Sequence, residues 1–239
     1  MLKYILPALL TLISLHGADF TKADYYIDNN HKSSTYLCKA DSICQAALSV
    51  NPKDAQALWR LSSIQFTIGY TKKKKAERLE YYKRAKEYAE KAKTIDPKCA
   101  DAWFWYGTSL SGILEVKGIA QAITYGGPIK KAFEKGIAID PTHVGSMGAL
   151  ARWHVEAPGI LGGDIEYAMG LLKKALSIDS CYTVLHITLA KAYIKQKKYS
   201  KARDILNKCL AVKTPTVPAG YYLNDKKQAR ELLAKIKDK

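Results

Sequence analysis

Small and apolar residues recur at three- and four-residue intervals along most of this chain, the period of helices that bury one face. The pattern breaks four times in the same way: Ala47 leads to Asn51-Pro52, Ala92 to Asp96-Pro97, Gly136 to Asp140-Pro141 and Ala175 to Asp179-Ser180. In each case the small residue five positions ahead of the Pro, or of the Ser that replaces it, allows two helices to approach closely. The Pro is expected to stop one helix and start the next. These endings are spaced by 45, 44 and 39 residues, with 35 more to Pro215. Such a period predicts an all-α chain of four to five irregular helical hairpins stacked into a superhelix, each covering the apolar face of its neighbour. The segment Lys213 to Asn224, rich in Pro, Thr and Tyr, reads as a loop. Asp225 to Ile236 follows as a capping helix with Ala229, Leu232, Leu233 and Ile236 on its inner face.

The repeats resemble the tetratricopeptide (TPR) repeat. Its pattern is carried by Trp103, Tyr106, Gly107 and Leu110, then Phe133 and Pro141, and again by Leu189, Ala190, Tyr193, Ala202, Leu206 and Pro215. Against the 34 residues of that repeat, extra residues fall between Gln65 and Ala85 and between Leu110 and Ile129, with a shorter excess around Glu156 to Gly163. Extended helices or loops are therefore expected on one side of the stack, often the binding side of a solenoid. The irregular repeats, the segment Ala149 to His154 and the turn Ala157 to Asp164 look like the TPR component associated with periplasmic TRAP transporters. That likeness implies a helical periplasmic protein, homo-oligomeric and cooperating with a solute-binding protein. Eukaryotic regulators of microtubule dynamics carry somewhat similar repeats, but the N-terminus argues against that branch.

The N-terminus reads as an export signal: Lys3, an apolar run from Tyr4 to Leu15, then Gly17 and Ala18 near a cleavage point. The run is shorter than the ~20 apolar residues of a membrane span. Ala18 or Asp19 stands where a lipoprotein would carry Cys, so soluble export is expected. The chain thus divides into a leader (1–18), a lead segment (19–34), the repeats (35–212) and the loop with its cap (213–239).

Composition changes this picture little, with 48% hydrophobic and 25% charged residues. The formal charge of +16 suits an anionic lipid surface, an envelope polymer or an acidic protein partner, with nucleic acid excluded by export. The blander reading is a set of solvated faces, since Lys72 to Lys75, Arg78, Lys83, Arg84 and Lys86 are interleaved with Glu77, Glu80, Glu87 and Glu90. Five cysteines leave at least one unpaired, and Cys181 with Cys209 is the pair that an antiparallel hairpin would bring together. No cysteine or histidine spacing suits a structural metal, and no cofactor is expected.

Two glycine elements read as structural turns and caps. Gly162 and Gly163 take turn conformations while Asp164 caps the next helix. Gly126-Gly127-Pro128 is expected to do the same one repeat earlier, with Pro128 at the first helical position. Trp103 and Tyr106 share a helix face as packing residues, leaving Trp105, Tyr125 and Trp153 to line a groove, with His154 hydrogen-bonded at its edge. His154 and Glu156 point in different directions on a helix, and no phosphate loop, nucleophile elbow or metal motif is present. The sequence therefore predicts a non-catalytic binding protein that presents a groove to a protein partner or a small organic ligand, with a structural envelope scaffold as the alternative.

Overall fold

The computed structural model describes residues 18–239, so all but the last residue of the expected leader lies outside the described residues. The elements run α1 (Thr21–Asp28), α2 (Tyr36–Val50), α3 (Ala55–Thr71), α4 (Lys75–Ile95), α5 (Ala100–Lys117), α6 (Ala122–Ile139), α7 (Val144–Glu156), α8 (Ile165–Ile178), α9 (Thr183–Lys195) and α10 (Tyr199–Ala211). A short α11 (Pro218–Gly220) then leads through a π-turn (Tyr221–Asp225) into α12 (Lys226–Lys235). No strand occurs among the described residues. Consecutive helices pair as antiparallel hairpins, and the first helices of neighbouring hairpins also touch, as in α3 with α5 and α7 with α9. The molecule is an all-α, TPR-like stack.

One turn chemistry joins the hairpins. Asn51, Asp96, Asp140 and Asp179 each follow the last residue of a helix, and each side chain accepts the amide two residues on: Lys53 at 3.1 Å, Lys98 at 3.0 Å, Thr142 at 2.8 Å and Cys181 at 2.8 Å. This closed turn explains why a short amide or carboxylate side chain recurs there. The prolines sit inside these turns, and the next helix begins three residues later, at Ala55, Ala100 and Val144. They end helices without occupying the first helical position. Asp54 then caps α3, accepting the amides of Gln56 at 2.8 Å and Ala57 at 3.1 Å.

Small residues set how closely the helices meet. A side chain on Gly136 would run into Ser146 of the next hairpin. Cβ atoms at Gly69 and Gly112 would each come within 3.0 Å of the Tyr82 ring, which is fully buried between α3 and α5 and stacks on Phe66 at 4.8 Å. The core continues as a series of clusters rather than one centre. Phe20, Cys44, Leu61 and Ile64 form the first, Leu110, Ile129, Phe133 and Leu150 a middle one, and Met147, Leu172, Leu185, Leu189 and Leu206 the last. The cap closes it, with Ala229 and Ile236 fully buried and Leu232 and Leu233 packed alongside.

Three expectations need correction. The lead segment (19–34) contains α1, which pairs with α2 as a first hairpin and is tied to α3 by Arg60, whose guanidinium donates to both Asp24 oxygens at 2.7 and 2.8 Å. The loop before the cap is helical from Pro218, because Asp225 is drawn inward by the Thr183 hydroxyl at 2.7 Å. Cys181 and Cys209 are free thiols. The Cys209 sulfur lies inside its hairpin against the Thr183 carbonyl at 3.8 Å, and burial, with a smaller push from Asp225, raises its pKa to about 12. Almost no thiolate is therefore available for exchange.

Leu172 is completely enclosed at the α8 joint of the last cluster. Leu172→Ala is expected to lower the unfolding free energy by about 2–5 kcal/mol, read as a shifted urea midpoint with an unchanged slope.

A candidate binding cleft between two insertions

Two departures from repeat spacing, the excess after Leu110 and the shorter one around Glu156, face each other across a cleft of about 710 Å³. Leu114 of α5, Ile129 of α6, and Ala149 and Trp153 of α7 supply its apolar lining. One side is the first half of α6, with Ile123, Gly126 and Gly127. The other is the α7–α8 connection, with Pro158, Leu161 and Gly162. On the rim stands Ile123, 88% exposed, and on the same connection Ile160 is 94% exposed. Isoleucines this open beside an apolar hollow are the unusual feature of the surface.

The polar groups around the cleft balance in sign. Glu115 is engaged by the Arg78 guanidinium at 2.6 Å, and Arg152 lies 3.9 Å from Glu156. Lys130 lies 3.8 Å from Glu134 and over the Trp153 ring at 5.7 Å. Two cations and two anions line the hollow, so the lining itself carries no net charge. No group of three metal-binding side chains occurs among the described residues.

The α7–α8 wall is held by the glycines in two different ways. Gly162 adopts a left-handed conformation (φ +88°) that side chains rarely take, with the Trp153 ring in van der Waals contact range beside it. Gly163 has no room for a side chain at all, since a Cβ would collide with the Ala157 carbonyl. Asp164 then caps α8, accepting the Tyr167 amide at 2.9 Å.

Gly126-Gly127-Pro128 behaves otherwise than expected. It lies inside α6, which starts at Ala122, so Pro128 is an interior residue and neither glycine forms a turn. The physical reason is the pair itself. A residue before proline is normally pushed out of helical geometry by a clash with its Cβ, and Gly127 has none. The Thr124 carbonyl loses its helical donor, but Thr124 is exposed and water can serve it. A Cβ at Gly126 or Gly127 would meet nothing within 4 Å, so both open onto the cleft.

Of the four proposed groove residues, the structure puts only Trp153 in this cleft. Trp105 packs against Phe104 at 5.1 Å and Phe66 at 6.0 Å. Tyr125 joins the Leu110 cluster, and its hydroxyl accepts from Lys117 at 2.9 Å, tying α5 to α6. His154 is only 5% exposed, wedged edge-on between Trp153 and Tyr167, and neither ring nitrogen has a hydrogen-bond partner, contrary to expectation. Burial, then the nearby Lys130 charge, lowers its pKa, which keeps it neutral. Sequence reasoning missed Ile123 and Ile160 and read Gly126 as part of a turn. Starting α6 at Ala122 would have placed Ala122, Gly126 and Ile129 on one face.

Comparison with known proteins agrees with this architecture. Residues 19–159 match the family described as regulator of microtubule dynamics protein 1-3, and residues 160–216 match the tetratricopeptide repeat. The chain belongs to the regulator of microtubule dynamics protein 1-3 family. The expected leader had weighed against that branch, yet the match begins just after it and contains the three helices that line the cleft and the start of the α7–α8 connection. Within the family, regulator of microtubule dynamics protein 1 from Bos taurus is 28% identical over 167 residues, 60% of this chain and 50% of the relative. The chain thus spans about half the length of the curated relative it matches. Among solved structures, a thermophilic TPR protein in Thermus thermophilus is 14% identical with a TM-score of 0.66, over 89% of this chain and 99% of that one. PilW, described as a widely conserved type IV pilus biogenesis factor, is 17% identical with a TM-score of 0.55, over 90% and 92%. At such identity these two establish the TPR fold alone.

The glycine pair of α6 gives a direct test. Gly126→Ala is expected to leave the melting temperature unchanged or to stabilise by up to about 1 kcal/mol, as glycine-to-alanine does in a helix interior. Gly127→Ala, which restores the pre-proline clash, is expected to destabilise. Equal effects at the two positions would contradict the helical course of this segment.

Proposed function

We infer that this chain is a non-catalytic adaptor that grips a short, uncharged apolar segment of a partner protein in the cleft between α6 and the α7–α8 connection. TPR stacks are protein-interaction scaffolds, and this one departs from regular spacing where the hollow forms. The observation that carries the reading is the exposed Ile123 and Ile160 beside a charge-balanced apolar hollow of about 710 Å³. That volume lies within the range of pockets that enclose a ligand of drug size, which also admits a small organic molecule.

The finer reading is an exported adaptor of the cell envelope, accessory to a TRAP-type transporter and its solute-binding protein. It is supported by the leader pattern and by the Ala157 to Asp164 turn, which forms a wall of the cleft. A cytoskeletal role like the one in the family's name is supported by the match over residues 19–159. The two readings divide on location, so N-terminal sequencing and fractionation of the natural protein decide between them. A chain that keeps its leader in the cytosol removes the envelope reading. Attachment to an anionic surface is favoured by a separate feature. Lys131 and Lys135 on α6, Lys173 and Lys174 on α8, and Lys201 and Lys208 on α10 are exposed, and none is among the ion pairs of the described residues. Salt-independent binding to anionic vesicles would dispose of it.

The cleft itself is tested with N-phenylnaphthylamine, an uncharged apolar fluorophore, followed by energy transfer from the tryptophans. Gly126→Leu, which fills the hollow from a helix position with free space around it, is expected to weaken binding at least about tenfold while leaving the circular dichroism unchanged. Undiminished binding by the variant, or an affinity that falls steeply between 0.05 and 0.5 M salt, would exclude an apolar occupant here.

A further inference from the structure

The ends of a short helical stack normally stay apart, yet here the first hairpin touches the C-terminal cap. Both α1 and the 3₁₀ turn Asn30–Lys32 lie against α11. His31 stacks on Tyr222 with ring centres 4.9 Å apart, and the Tyr70 hydroxyl at the end of α3 donates to the Asn224 side-chain oxygen at 3.2 Å. We propose that these contacts form a reversible, proton-sensitive clasp that closes the stack end to end and so controls access to its inner face.

Each jaw is firmly built and the junction between them is thin. On one side, Arg60 holds α1 through Asp24. On the other, Thr183 fixes Asp225, and Tyr221 donates its hydroxyl to the Leu210 carbonyl at 3.2 Å. The intervening π-turn keeps Tyr221 and Asp225 buried while leaving Tyr222 and Leu223 exposed, Tyr222 against His31 of the opposite jaw. Such a turn marks a departure from helical register that packing must maintain. Beside the packing of α1 and the 3₁₀ turn on α11, the directional contacts between the jaws are one exposed hydrogen bond and one stacked pair, each a small contribution of about 1 kcal/mol. A joint of that size opens without unfolding either side.

Two groups make it respond to protons. Asp28 ends α1, and burial, with Asp24 adding repulsion, raises its pKa to about 6. The charge that acts on it is that of Asp24, already paired with Arg60. Tyr182 of the α8–α9 connection responds to the Asp28 charge and to those of Asp225, Asp179 and Arg152. A carboxyl whose pKa is raised by closure favours the closed form while protonated, and that advantage disappears as pH rises through the interval ending near 6. His31 acts in the opposite sense. Its Nδ1 is buried without a partner, and burial, then Lys32, lowers its pKa, so protonation on acidification opposes closure.

Hydrogen exchange of the full chain, corrected for intrinsic rates and followed in segments 29–36 and 217–226, separates the two. His31→Phe keeps the stacked ring and removes the opposing titration. Its protection in both segments is expected to fall by about tenfold from pH 5 to pH 7.5. Asp28→Asn should instead lose protection toward pH 5, and the double variant should be flat. Tyr222→Ala should lower protection of segment 29–36 at every pH while α5 to α8 keep theirs. A flat profile for His31→Phe overturns the proton sensitivity, and undiminished protection in Tyr222→Ala overturns the clasp.

Discussion

Everything in this molecule follows from hairpins that cannot cover themselves. Each helix pair leaves an apolar face that only the next pair can bury, so the chain is stable as a series of joints, with clusters around Leu61, Phe133 and Leu172 in place of a single centre. What fixes the register of those joints is the backbone turn at Asn51, Asp96, Asp140 and Asp179. A one-residue change there would rotate the next helix by about 100°, moving its apolar stripe off the neighbour it must cover.

That coupling between turn and stripe is why the fold was legible. Asn or Asp before Pro marks the turn, and a small residue one helical turn earlier marks the close approach, so repeat phase and helix order could be read together. The first hairpin was obscured because α1 is only eight residues long, and its attachment runs through Arg60 and Asp24, 36 positions apart. No periodicity reports a long-range ion pair. The π-turn ahead of α12 was hidden for a similar reason. Pro218 and the tyrosines suggest a loop, and the buried Asp225–Thr183 contact that draws the segment inward is a tertiary effect.

The cleft was half legible. Excess residues after Leu110 and around Glu156 located its two walls, but aromatic type was a poor guide to which side chains line it. Trp105 and Tyr125 are spent on helix–helix packing, while Ile123 and Ile160 stand open. The error at Gly126-Gly127-Pro128 is instructive because each residue alone breaks helices. Together they do not: the glycine ahead of the proline removes the clash that would otherwise end α6, and the same lack of side chains leaves space for the hollow. One local substitution pattern thus preserves the helix and creates the site.

Closure of the stack changes how that site is reached. In an open solenoid the inner face is a groove that any partner can approach from the side, whereas contact between α1 and α11 makes the route to that face depend on a sparse joint. The cleft lies partly on the connections between helices, where Ile160 and Ile123 reach solvent, so a partner can engage the rim with the ring closed. Arg152 and Glu156 belong to the cleft, and both also act electrostatically on groups near the junction: Arg152 on Tyr182, and both on Lys191 of α9. Burial, the largest influence on Lys191, holds its amine below the usual lysine range, and the Glu156 and Arg152 charges oppose one another there. With Arg152 and Glu156 3.9 Å apart, the cleft answers its own charges, as the uncharged apolar occupant proposed for it requires.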